Sequence, residues 1–118
     1  MKVIIAGSRT INKSVEEIAE YVKQSKFKIT EVVCGEAQGI DKSGKIWAKF
    51  EKIPVKSFPA NWSKHGKIAG ILRNNEMAVY ADAAIVITNG SRGSQNMILT
   101  MRRYIKPCEV FRIEDLNG

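Results

Sequence analysis

Short runs of branched apolar residues alternate along this chain with stretches whose apolar positions return every three or four residues. Val3-Ile4-Ile5-Ala6 reads as a buried strand that Gly7 stops. Ser14 and Glu17 are spaced as a capping box, and Val15, Ile18, Ala19 and Val22 follow at helical spacing. Ile29 to Cys34 predicts a second strand, and Ile40 to Phe50 a second helix with Ile46, Trp47 and Phe50 inward. A short strand over Ile53 to Ser57 leads into a long loop from Phe58 to Gly66. The helix expected over Lys67 to Tyr80 offers Ile68, Ile71, Leu72, Asn75 and Met77 to one broad face. Ala83 to Thr88 is a continuous apolar strand, the pattern of burial on both faces. A helix over Ser94 to Ile105 and a strand over Cys108 to Ile113 complete the alternation. Strand and helix alternating in this way predict an α/β fold: a parallel sheet with right-handed crossovers and helices on both faces.

Composition narrows the class. The chain has 118 residues, 44% hydrophobic and 26% charged, which suits one globular domain over residues 1–118. It contains no repeat, linker or low-complexity run. No window approaches the ~18 apolar residues of a membrane span. Met1 leads almost at once into the first strand, without signal-peptide architecture, so a cytoplasmic protein is expected. Cys34 and Cys108 form neither a disulfide framework nor a metal-spaced pair, and His65 is the sole histidine, so no metal site is expected. Both cysteines are expected to be reduced and buried, each at the end of an apolar strand.

Charge is uneven. Residues 52–106 carry 9 basic and 2 acidic groups, whereas residues 1–51 carry 9 and 7. A basic excess of this kind favours an anionic partner, the alternative being solubility alone.

In an open parallel sheet, ligands bind beyond the carboxyl ends of the strands, where strand order reverses. Three loops qualify. In Gly7-Ser8-Arg9-Thr10, glycine lets backbone approach an anion, Ser8 offers a hydroxyl and Arg9 a bidentate fork. In Gly35-Glu36-Ala37-Gln38-Gly39-Ile40-Asp41, two glycines free a helix N-terminus for phosphate. This is neither a Walker loop nor the dinucleotide fingerprint. Asp41 reads equally as a dipole partner and as an acceptor for a ribose hydroxyl. The third loop, Asn89-Gly90-Ser91-Arg92-Gly93-Ser94, is rich in glycine and hydroxyls and has an arginine but no acid.

The segment 58–77 adds Trp62, which either stacks on a base or packs the loop onto the core. His65 reads as a solvated loop residue. Arg73 and Glu76 lie one helical turn apart and can pair, either structurally or pointing into the site.

Taken together, Val3–Arg9, Gly35–Asp41, Phe58–Trp62, Arg73–Met77 and Ser91–Ile98 resemble the small YspA-like proteins of the SLOG superfamily. These are Rossmann-like domains of bacteria and bacteriophages, related to the Lonely Guy phosphoribohydrolases and to the DNA-processing protein DprA. The resemblance spans about residues 2–113. It implies a three-layer domain, a five-stranded sheet of order 3-2-1-4-5, and a nucleotide or nucleotide-derived ligand over the glycine loops. No cofactor is required. It also implies a homodimer or larger homo-oligomer, in the cytoplasm of a bacterium or of a phage's host.

In the hydrolases the last loop reads Pro-Gly-Gly-x-Gly-Thr followed by glutamates. Here Gly90, Gly93 and Ser94 match, but Gln95, Asn96 and Met97 stand where carboxylates are needed. The expected function is therefore ligand binding without turnover, as a sensor or sequestering protein. A nucleoside-monophosphate N-glycosidase using Glu76 or Asp41 is the first alternative, and DprA-like single-strand nucleic-acid binding the second.

Overall fold

A computed structural model of the chain describes residues 1–113. Five strands, β1 (Lys2–Gly7), β2 (Glu31–Cys34), β3 (Val55–Ser57), β4 (Ala83–Thr88) and β5 (Cys108–Arg112), form one sheet. All neighbours are parallel and the order is β3-β2-β1-β4-β5, as the alternation and the resemblance predict. β1 pairs with β4 from Val3↔Ala83 to Gly7↔Ile87, so strand order reverses beside the end of β1.

Side chains of the central strands alternate between two cores. Ile4, Ala6, Ala84 and Val86 face α4 (Ala69–Tyr80) and α5 (Arg92–Arg103), meeting Met77, Met97 and Met101. Val3, Ile5, Ile85 and Ile87 face the other way, toward α1 (Val15–Ser25) and α2 (Ile40–Phe50), where Ile18, Ile40 and Trp47 lie. Covering on both faces explains why β4 is buried at all six positions and reads as an unbroken apolar run. The α1 capping box is present: Ser14 Oγ accepts from the Glu17 amide, and the Glu17 carboxylate accepts from the Ser14 amide.

Several boundaries and faces differ from expectation. The 58–66 segment is not one loop, because Asn61 caps a four-residue helix, α3 (Trp62–His65), by accepting from the Lys64 amide. A 3-10 turn over Gly66–Ile68 precedes α4, which starts at Ala69 rather than Lys67. β3 starts at Val55 because the Ile53 amide is used to close α2, donating to Ala48 O. α5 starts at Arg92, two residues early, and ends at Arg103, since Ile105 takes a left-handed φ of 55°. Ile46 and Phe50 point outward. α2 meets the sheet through small residues, Gly44 and Ala48, flanked by Trp47; a Cβ at Gly44 would stand 2.6 Å from Ile5 Cγ2. On α4, Met77 faces the core, but Ile71 and Leu72, like Ile68 in the turn before it, are exposed, and the buried asparagine is Asn74. Cys34 is buried, whereas Cys108 is only partly so, because β5 is an edge strand. Both thiols are unpaired, and burial pushes that of Cys108 up to about 11. Among the described residues, no helix is long and apolar enough to cross a membrane.

Candidate functional site

The reversal of strand order brings the three glycine loops together at the carboxyl edge of the sheet. Their joint is Ser8. Its amide donates to Ile87 O, and its carbonyl accepts from the Ile11 and Ile40 amides. Its hydroxyl donates to Asn89 Oδ1 (2.7 Å), accepts from the Asn89 amide (2.9 Å), and lies 3.2 Å from Ser91 Oγ. Ser8 is 1% exposed. The sequence offers this hydroxyl to a ligand, but the fold uses it to tie β1's loop to β4's.

The same tie accounts for Asn89, whose side chain also donates to Thr10 Oγ1. Gly90 turns the chain outward at a φ of 96°. Ser91 is the N-cap of α5, yet its side chain makes no capping bond, lying instead 2.7 Å from Ser94 Oγ. The first-turn amides of α5 are thereby left for an outside acceptor, at the end where the helix dipole favours an anion. Arg92 and Gly93 are exposed here, with open space where a Gly93 side chain would go.

Gly39 closes the second loop with a φ of 73°, a conformation that costs a side-chain-bearing residue about 1–2 kcal/mol. Gly35 is buried against Arg73 and Asp41: a Cβ there would lie 2.9 Å from the Asp41 carboxylate. The Arg73 guanidinium donates to Gly35 O and to Asn74 Oδ1, not to Glu76. Glu76 is exposed and shares none of the three cavities at this edge. The expected Arg73–Glu76 pair is therefore replaced by a bridge from α4 to the second loop. Asn74, which sequence reasoning missed, extends the bridge by donating to Asn96 Oδ1 (2.9 Å) and Gly93 O (3.3 Å). Nothing in the local sequence marks it off from Asn75, since its burial arises only from the packing of α4 on α5.

Two adjoining cavities result. One, of about 330 Å3, lies between Gly7, Asp41, Arg73 and the Ser91–Ser94 turn, with Arg9 and Arg92 at its rim and Met97 on its wall. The other, of about 420 Å3, shares Arg9 and Arg73 and runs past Gln38 to Trp62. Trp62 is half exposed, its ring 6.0 Å from the Arg9 guanidinium, so it does not pack into the core. His65 is exposed, as expected.

The site is cationic with one buried acid. Burial raises the Asp41 carboxyl above its ordinary value, opposed by the Ala37 amide and by the Arg73 cation. Burial also disfavours the Arg73 cation, and Asp41 opposes that in turn. A carboxyl whose pKa rises on folding stabilises the fold only while protonated. That contribution is full below the unfolded value and is lost as pH rises through the folded one. Asp41→Asn should therefore melt above wild type at neutral pH, with the gap closing below about pH 4. Melting curves across pH check this; a gap that does not change with pH would show that the charge carries no burial cost.

The exposed Glu36 has a φ of 61°, and its carboxylate accepts from Ser57 Oγ and from Lys45 Nζ (2.9 Å). It braces the second loop against β3 and α2. Gln38 is exposed beside it.

Among known proteins, the family described as "YspA, cpYpsA-related SLOG family" matches residues 1–65, which run from β1 through α3. The match includes the first two glycine loops and stops short of the β4–α5 turn. No curated protein and no solved structure matches the chain. With more than half its length matched and the expected sheet order in place, the chain belongs to the YspA, cpYpsA-related SLOG family.

Proposed function

We propose that the crevice binds a nucleotide or nucleotide-derived anion and does not turn it over, serving as a sensor or sequestering site. The observation that carries this is the uncapped N-terminus of α5, opening on a cavity rimmed by Arg9, Arg73 and Arg92. A phosphate there meets backbone amides, the helix dipole and guanidinium donors together. The adjoining cavity, with Trp62 and Gln38, suits a base or ribose on the same ligand.

Arg92→Ala removes one charge-assisted contact from an exposed side chain. Calorimetric titration of nucleoside monophosphates should show binding weakened about 10- to 100-fold, corresponding to roughly 1.5–3 kcal/mol. Equal affinity in wild type and variant would place the site elsewhere.

One observation favours a second reading, turnover. Asp41 is a buried carboxyl on the crevice with a raised pKa, the character of a general acid. Glu76 offers no such support, being turned away from the cavity. Release of free base from any monophosphate, lost in Asp41→Asn, would replace the binding reading with the N-glycosidase reading.

The proposed homo-oligomer has a surface to use. Ile68, Ile71, Leu72 and Val79 make an exposed apolar stripe along α4 and the 3-10 turn before it, with Lys67 near one end and Glu76 toward the other. A second copy laid antiparallel would bring each Lys67 near the other's Glu76 and cover both stripes. Light scattering should give a dimer mass for wild type and a monomer mass for Ile71→Glu. A wild-type monomer at micromolar concentration would rule this pairing out.

A further inference from the structure

We infer that the protein has a second anion site, adjoining the crevice across the Glu36–Gln38 loop and facing α2, suited to a phosphate-bearing small molecule. A third cavity of about 360 Å3 lies there, between the loop and the solvent face of α2. Its wall is a row of three lysines, Lys42, Lys45 and Lys49, spaced three and four residues apart on one stripe of the helix. Its inner side is Cys34 and Asp41, and Ile46 supplies an apolar patch.

Charge accounting within the cavity leaves an excess of cations. Glu36 is bound to Lys45, which neutralises that lysine. Lys42 and Lys49 have no carboxylate partner among the described residues. The other acid, Asp41, is buried, accepts from the Ala37 amide and lies beside Arg73, so it is committed on the crevice side. Lys42 and Lys49 stand two turns apart on the same face of α2, and an anion seated between them gains charge-assisted bonds on both sides.

Size argues for more than a bare ion. The cavity is about as large as the crevice's own first cavity, within the range that encloses a small organic ligand. The hydroxyls of a sugar phosphate find an acceptor in the Glu36 carboxylate. Its phosphate finds Lys42 and Lys49. Because Glu36 also braces the crevice's second loop, an anion that draws Lys45 away from Glu36 loosens that brace. The two sites are thus connected through one carboxylate.

The test is titration of isotope-labelled full-length protein with inorganic pyrophosphate at constant ionic strength, followed by backbone amide NMR. Two separable sets of shifts are expected, one at residues 91–94 and one at residues 42–49. The double variant Lys42→Ala/Lys49→Ala, altered only at exposed positions, should weaken the 42–49 response about tenfold or more while leaving the 91–94 response within about twofold. Arg92→Ala should do the reverse. The proposal falls if the 42–49 shifts are absent, if they survive in the double variant, or if sodium chloride alone reproduces them. It also falls if Arg92→Ala abolishes both sets, since that would make the α2 response a consequence of crevice binding. Failure of the crevice reading looks different: shifts at 42–49 without any at 91–94.

Discussion

Gly7→Ala should cost this protein about 3 kcal/mol or more of stability, a large share of the roughly 5–15 kcal/mol typical of a domain. The reason is backbone against backbone. A Cβ on Gly7 would overlap the carbonyl oxygen of Ile87 and stand 2.9 Å from Ile40 Cγ1. The oxygen cannot swing aside freely, because it accepts from the Ser8 amide at 3.1 Å. β1 and β4 must therefore separate at their carboxyl ends, where the three loops meet. Urea unfolding of wild type and variant measures the loss through the midpoint shift. A change under about 1 kcal/mol would show that the sheet edge relaxes more easily than the packing implies.

The second large effect concerns binding and leaves the fold alone. Gly93→Asp places a side chain where nothing lies within 4 Å, so no atom of the protein must move. Glycine in a helix costs about 1 kcal/mol relative to alanine, and an acidic residue in the first turn is favoured by the dipole. The variant should therefore be at least as stable as wild type. Toward an anionic ligand it should be nearly inert, since a carboxylate now occupies the approach to the α5 amides. Two lost charge-assisted contacts alone amount to about a hundredfold or more. Stability and affinity are expected to move in opposite directions. Paired melting and titration experiments read both, and affinity held within about tenfold would refute the assignment of this turn.

Much of the architecture was legible because local patterns and tertiary environment agree. β4 reads as a buried strand because it is buried on both faces, and α1 announces its start through Ser14 and Glu17. The misread faces share a cause. On α2 the sheet is met largely by Gly44 and Ala48, small residues that an apolar periodicity does not weigh, while Ile46 and Phe50 stay outside. On α4 and the turn before it, the exposed Ile68, Ile71 and Leu72 mimic a core face.

At the candidate site, residue types pointed to loops that the fold gathers at one sheet edge, but not to each residue's partner. Ser8 and Asn89 are 81 positions apart, and no local signal says that the serine hydroxyl is already taken. Arg73 was legible as a candidate and its partner was not. Glu76 is one turn away, yet the guanidinium reaches Gly35, 38 residues back along the chain.

The pairing of β1 with β4 also dictates when the crevice can exist. During synthesis the β3-β2-β1 half of the sheet can assemble as soon as Ser57 is free. Its inner edge, Val3 to Gly7, must then wait for Ala83–Thr88. For that interval the apolar edge of β1 has no neighbour, which is where mispairing and aggregation begin. The half of the crevice carried by β1 and β2 is likewise incomplete until the last third of the chain emerges. Contacts this distant in sequence make the final closure slow, so ribosome stalling or truncation between Ser57 and Ala83 would leave an aggregation-prone half-sheet.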